Sequence, residues 1–174
     1  IRRQKTDLVG IVHVPTPPMG LYSKKHPLGT PIKAGSSVAV PNDPVNLQRA
    51  LWVLRDLGLI EIRDSKPVDV TELDVIKNPG GIKIVPLEAA QAPRALDDVD
   101  AAVINTNYAT QAGLDPVKDP ILREDPKGPY VNLIAVRAAD KDKPWVKILV
   151  DSYHTPEIKE FVLTKFKGAV LPSW

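Results

Sequence analysis

Strands and helices alternate along this 174-residue chain, and the alternation predicts an α/β fold on a largely parallel sheet. Three runs carry the expectation. Ser37-Val38-Ala39-Val40 reads as a short buried strand leading into a capped helix that opens at Asp43-Pro44. Ala101-Ala102-Val103-Ile104-Asn105 is a strand with almost no polar residue, again followed by a helix. Tyr130-Val131-Asn132-Leu133-Ile134-Ala135-Val136 is strand-like and precedes two closing helices.

The elements follow in order. Residues 8–14 form the first strand, and Pro15-Thr16-Pro17-Pro18 behind it is extended, because proline lacks the helical donor and restricts its predecessor. Gly20-Leu21-Tyr22-Ser23 is a further extended piece. Asp43 can cap a helix through its side-chain oxygen, and Pro44 fits the first helical position, where no N–H is needed. Leu47, Ala50, Leu51, Leu54 and Leu57 recur at helical spacing and Gly58 is a stop signal, giving a helix over 44–57. A short strand at 59–63, a helix over 69–77 and the turn Asn78-Pro79-Gly80-Gly81 come next. Residues 82–86 are a strand, 89–96 a short helix, 101–105 the buried strand and 106–112 a helix ended by Gly113. A polar, proline-punctuated connection runs over 115–129, then a strand over 130–137 and helices at about 144–153 and 156–167. Thr155 caps the last helix, with Pro156 at its first position. The proline linker after Val14 and the stretch 115–129 are the places where the chain would cross between two lobes.

Composition narrows the function. A hydrophobic share of 43% with 25% charged residues is that of a globular protein. A formal net charge of +2 gives no argument for nucleic acid, and Lys24-Lys25-His26 reads as a solvated turn. The absence of cysteine excludes disulfides, thiolate metal sites and a cysteine nucleophile, and leaves the compartment open. No apolar stretch approaches the roughly 20 residues that span a bilayer. The opening residues are no secretory signal, and the chain reads as one entered partway. His13, His26 and His154 show neither ligand nor triad spacing, and Asp97, Asp98 and Asp100 read as a polar turn. Pro79-Gly80-Gly81 lacks the lysine and spacing of a phosphate loop, and there is no nucleophile elbow. The expectation is therefore no catalytic residue, no metal and no cofactor.

Binding has better material. The strand that runs into the 44–57 helix places backbone N–H groups and the cationic Arg49 near a strand's carboxyl end, where clefts in α/β sheets open. Asn105 ends a buried apolar strand, where an amide is costly unless backbone or ligand meets its donors and acceptors. Asn132 interrupts a strand-like run although asparagine is a poor strand former. One guanidinium and two amides suit a zwitterion: arginine for the carboxylate, amide oxygens for the ammonium.

Several ordered blocks then carry a resemblance. They are Pro18-Met19-Gly20-Leu21-Tyr22-Ser23-Lys24-Lys25, Val40-Pro41-Asn42-Asp43-Pro44, Leu87-Glu88-Ala89-Ala90-Gln91, Ala102-Val103-Ile104-Asn105-Thr106-Asn107-Tyr108, Pro129-Tyr130-Val131-Asn132, and Phe166-Lys167-Gly168-Ala169-Val170 with a terminal Trp174. From about Asp7 to Trp174 the chain resembles the NlpA-type methionine-binding lipoproteins, the substrate-binding components of bacterial methionine ABC importers. The resemblance implies a two-lobed periplasmic-binding-protein fold (type II-like) that closes over a free amino acid, with the first lobe incomplete in this chain. Residues 1–19 would be a remnant of lobe 1 and the crossover, 20–108 lobe 2, and 109–174 the return to lobe 1 with C-terminal helices. It assigns Arg49 to the ligand carboxylate and Asn105 and Asn132 to ligand contact, their amides converging on the head group, with Asn46 on the same helix entry as Arg49.

It further implies methionine as ligand, a permease and ATPase complex as partner, no nucleic acid, no cofactor, and an extracytoplasmic location held by an N-terminal lipid anchor that this chain does not include. The family's first segment, with an aromatic- and histidine-rich block that packs on the ligand side chain, is also outside it. The 174 residues alone are accordingly expected to be oligomeric or poorly soluble and to bind methionine weakly or not at all. Relatives usually carry glycine where this chain has Gln48, which would either narrow the pocket or point to solvent. A ligand-sensing effector domain on the same two-lobed scaffold is the alternative reading. The sequence leaves L-methionine, D-methionine, a dipeptide and another small apolar amino acid open as ligands.

Overall fold

In a computed structural model that describes residues 7–63, 70–125 and 128–174, the chain divides into two units. One is Pro18–Glu124; the other joins Ile1–Pro17 to Asp125–Trp174. In chain order the elements are β1 (Leu8–His13), β2 (Gly20–Tyr22), β3 (Ser37–Pro41), α1 (Pro44–Asp56), β4 (Glu61–Ile62), β5 (Val75–Lys77), β6 (Lys83–Leu87), α2 (Ala92–Ala95), β7 (Ala101–Ile104), α3 (Thr106–Gln111), β8 (Leu122–Arg123), β9 (Leu133–Arg137), α4 (Pro144–Tyr153) and α5 (Pro156–Phe166).

The Pro18–Glu124 unit is a five-stranded sheet in the order β6-β3-β7-β2-β8. β3 runs parallel to β6 on one side and to β7 on the other. β2 is antiparallel to both β7 and β8, the one strand that departs from the expected parallel direction. β6, β3, β7 and β8 all run in one direction, each reached from the one before it in the chain by a connection long enough to return the chain, and β2 alone runs against them. Pro86, opposite Val40, is tolerated because β6 is an edge strand, where a missing N–H breaks no ladder bond.

Alternation along these strands sorts the core into two layers. Val38, Val40, Ala101, Val103 and Leu21 point to one face and pack with Leu47, Ala50, Leu51 and Leu54 of α1. Ala39, Ala102, Ile104 and Tyr22 point to the other and pack with Ala92 and Leu96 around α2 and with Ala109 of α3. Every residue of β7 is fully buried, which explains its unbroken apolar run.

Helix α1 forms as expected. Asp43 accepts from the Asn46 N–H at 3.0 Å, Pro44 opens the helix, and Gly58 takes φ +70° just beyond its end. The helix expected over 69–77 does not form. Residue 69 lies outside the described residues; the remainder is a 3₁₀ turn (Glu72–Asp74) and β5, which pairs antiparallel with β4. The Asp74 carboxylate reaches back to the Thr71 N–H at 3.0 Å, closing a single-turn capping box, and the β-branched Val75-Ile76 then prefers the ladder.

The connection 115–129 was expected to be irregular, yet it contains β8. Gly20 faces Arg123 and Leu21 faces Leu122, so residues 109–124 stay with the sheet rather than returning to the other unit.

The other unit pairs β1 with β9 antiparallel, Leu8 opposite Arg137 and His13 opposite Leu133, with a register shift between Gly10 and Val12. β9 starts at Leu133, so Asn132 stands just ahead of the strand instead of within it as expected. Thr155 caps α5 by accepting from the Ile158 N–H at 3.2 Å, as expected. The helix ends where Lys167 and Gly168 turn left-handed, with φ 48° and 85°. Trp174 stacks on His154, their ring centres 4.8 Å apart.

Candidate functional site

The first turn of α1 orients an amide. Asp43 caps the helix with Oδ1, and its Oδ2 accepts from Asn46 Nδ2 at 2.9 Å. With its N–H₂ group tied to Asp43, Asn46 presents Oδ1 away from the cap. That oxygen accepts from Asn105 Nδ2 at 2.9 Å and from Arg49 Nη1 at 3.3 Å. Asn105 follows β7 at the N-cap position of α3, but its side chain makes no cap bond. The carboxyl ends of the adjacent parallel strands β3 and β7 thus bring Asn46, Arg49 and Asn105 together.

Arg49 is held on its other edge by Glu124. Nε donates to Oε1 at 3.1 Å and Nη2 to Oε2 at 2.6 Å, a bidentate ion pair. The two side chains are only 13% and 12% exposed. Oε2 also accepts from the Met19 N–H at 3.2 Å, and the Glu124 N–H donates to the Met19 carbonyl at 2.8 Å. Glu124 is a site residue that the sequence reading missed. It stands in a polar connection where neither spacing nor periodicity marks it, and it reaches Arg49 only because β8 pairs with β2.

One atom in the cluster is unmet. Asn105 Oδ1 is buried and has no hydrogen-bond donor among the described residues. Leaving a buried amide oxygen unsatisfied costs on the order of 1–3 kcal/mol. The Asn105 side chain shares the Asn46 Oδ1 acceptor with the Arg49 guanidinium at the end of a central strand, where a ligand carrying an N–H group would satisfy the unmet oxygen.

Asn132 belongs to the other unit and is exposed. Its N–H donates to Thr16 Oγ1 at 3.0 Å, its Nδ2 to the Pro15 carbonyl at 3.4 Å, and its carbonyl accepts from the Val14 N–H at 2.9 Å. Gln48 does not point to solvent: it is buried, and its Oε1 accepts from the Val70 N–H at 3.4 Å.

The remaining sequence candidates have structural partners. Asp100 accepts from the Ser37 N–H at 2.7 Å and from Ser37 Oγ at 2.9 Å, and these bonds hold its carboxyl below the usual aspartate range. Lys24 pairs with Asp97 at 2.6 Å. His26 is buried, and His154 contacts the His13 carbonyl at 2.8 Å. Among the described residues no three His, Cys, Asp or Glu side chains are grouped to hold a metal. A cavity of about 440 Å³ is lined by Lys24, Arg94, Asp97 and Tyr108 among others. It includes none of Asn46, Arg49, Asn105 and Glu124. No helix among the described residues is long and apolar enough to cross a membrane.

Comparison with known proteins places this geometry in context. The family model of the NlpA lipoproteins matches residues 1–174. The chain is 47% identical over 159 residues to a D-methionine-binding lipoprotein, MetQ, of Salmonella typhi, covering 90% of this chain and 59% of the relative. It thus spans well under two thirds of that relative's length. Among solved structures it is similar to a nutrient-binding protein of Burkholderia cenocepacia bound to methionine, with TM-score 0.85 and 46% identity over 99% of this chain and 73% of that one. It is also similar to a periplasmic substrate-binding protein of an ABC transporter from Coxiella burnetii, with TM-score 0.84 and 42% identity over 99% and 72% of the two chains.

Proposed function

The chain belongs to the NlpA lipoprotein family, and on that premise we propose that it is part of an extracytoplasmic, lipid-anchored protein that binds methionine and delivers it to an ABC importer's permease and ATPase. The role is binding without chemistry. Arg49 takes the ligand carboxylate. Asn105 Oδ1 accepts from the ligand ammonium, and Asn46, fixed by Asp43, sets the positions of both. Asn132 is a further ligand contact in the proposal, carried by the family resemblance.

The observation that carries the reading is Asn105 Oδ1, a buried acceptor without a donor among the described residues, on a side chain that shares the Asn46 Oδ1 acceptor with Arg49. Methionine supplies both what that oxygen lacks, an ammonium, and what a guanidinium prefers, a carboxylate. The relatives' names and the methionine-bound Burkholderia structure support the same ligand.

Calorimetry on the full-length protein tests it with L- and D-methionine separately. Removing one partner of a desolvated charge pair costs on the order of 2–5 kcal/mol, so Arg49→Ala is expected to weaken binding roughly 30- to 5,000-fold. Arg49→Lys restores part of the loss, because an ammonium lacks the planar fork. Unchanged affinity in Arg49→Ala overturns the assignment.

A further inference from the structure

We propose that Glu124 is a positioning residue for the binding site: it fixes the Arg49 guanidinium and sets the local charge so that the site takes an amino-acid zwitterion in preference to a bare carboxylate. The inference rests on the functional reading above and names a residue and a selectivity beyond it.

Geometry comes first. Glu124 engages Nε and Nη2 of Arg49 together, and a two-point contact fixes the plane of a guanidinium where a single bond would let it turn. The carboxylate is itself anchored by the Met19 N–H, and the backbones of Glu124 and Met19 are bonded as well. A continuous chain of contacts therefore runs from Glu124 through Arg49 and Asn46 to the unmet oxygen of Asn105. Stability alone is a poor reason to keep such a pair. Buried ion pairs are weak net stabilisers, because desolvation offsets most of their attraction.

Charge gives the selectivity. Arg49 contributes one positive charge and Glu124 one negative. Asp43, bonded to Asn46, adds a second negative charge that faces the partial positive charge of the α1 N-terminus. The cluster is thus not a net cation. A ligand offering only a carboxylate would meet an arginine already neutralised, whereas an α-amino acid brings its own ammonium to the unmet amide oxygen and to the surplus of acidic oxygens.

The test compares methionine with 4-(methylsulfanyl)butanoate, the same molecule with hydrogen in place of the amino group, by calorimetry on the full-length protein. Glu124→Gln is expected to weaken methionine binding by about tenfold, the scale of a lost charge-assisted hydrogen bond, and to lower the preference for methionine over the deaminated acid by a similar factor. Glu124→Asp keeps the charge, so it weakens methionine binding severalfold while leaving that preference in place. In an Arg49→Lys background, where no fork remains to be held, the effect of Glu124→Gln on methionine shrinks. A preference unchanged by Glu124→Gln, or one lost equally in Glu124→Asp, overturns the inference. Should Glu124→Gln not fold, Glu124→Asp decides: wild-type affinity for methionine in that variant also overturns it. If Arg49→Ala leaves methionine affinity intact, the functional reading itself has failed; if Arg49→Ala abolishes binding and Glu124→Gln leaves the preference unchanged, only the role of Glu124 has.

Discussion

At the scale of single residues, Asn105 separates a binding role from a packing role. Asn105→Ala loses the bond to Asn46, worth about 1 kcal/mol, but also removes a buried acceptor whose desolvation costs about 1–3 kcal/mol. The two nearly cancel. The ligand-free variant is therefore expected to melt at or slightly above the parent temperature while methionine affinity falls at least about tenfold, one charge-assisted hydrogen bond's worth. Differential scanning calorimetry and titration calorimetry together check this; a marked drop in melting temperature with affinity intact contradicts it. Asp100 behaves oppositely. The Ser37 N–H and hydroxyl hold its carboxyl below the ordinary aspartate range, so its stabilisation is present above the pKa of an unfolded aspartate, about 3.9. It is lost as pH falls through the lowered folded-state value. Asp100→Asn is expected to melt below the parent at pH 7, with the gap closing as the pH is brought down through that range.

At the scale of elements, α1 was legible and β5 and β8 were not, for one physical reason. The signals of α1 are local: Asp43 and Pro44 act on the next turn, and Leu47, Leu51 and Leu54 mark its buried stripe. A two-residue strand such as β8 has no local signal and exists because Leu21 is there to pair with Leu122. β5 follows a capping box only one turn long, which in sequence looks like a helix start. The same division applies to the candidate site. Arg49 and Asn105 could be singled out because each sits where local structure makes it conspicuous, whereas Glu124 arrives through a pairing 75 residues away from Arg49 in sequence. Because Asp43 both caps α1 and clamps Asn46, its two duties can be separated. Asp43→Ala is expected to cost about 1 kcal/mol of stability, as N-cap losses do, and to weaken methionine binding as well. Asp43→Ser restores the cap but not the clamp, so melting recovers while affinity does not. Joint recovery of both contradicts the clamp.

At the scale of the molecule, the two units expose different surfaces. In the sheet unit, α1 on one face and α2 with α3 on the other cover the central strands. In the other unit, Trp145, Ile148, Phe161 and Phe166 of α4 and α5 are 42–65% exposed, although Val146 and Val162 of the same helices are buried. Exposed apolar surface of this kind promotes association. The 174-residue chain studied by itself is expected to self-associate in sedimentation velocity, and Ile148→Ser with Phe161→Ser to reduce that; a sharp monomer at high concentration contradicts it. The lobe boundary was the least legible feature at this scale, since proline and polarity mark 115–129 as a connection and only the β2–β8 pairing shows that most of it remains with the sheet.

The central claim is that an amino-acid head group completes the Arg49–Asn46–Asn105 cluster. A crystal structure of the full-length protein with methionine tests it most directly. The expected result has the ligand carboxylate on the Arg49 guanidinium and the ligand ammonium within ordinary hydrogen-bond distance, about 2.7–3.2 Å, of Asn105 Oδ1, with Glu124 still paired to Arg49. Methionine bound elsewhere, or bound here with Asn105 Oδ1 facing away from the ammonium, contradicts it.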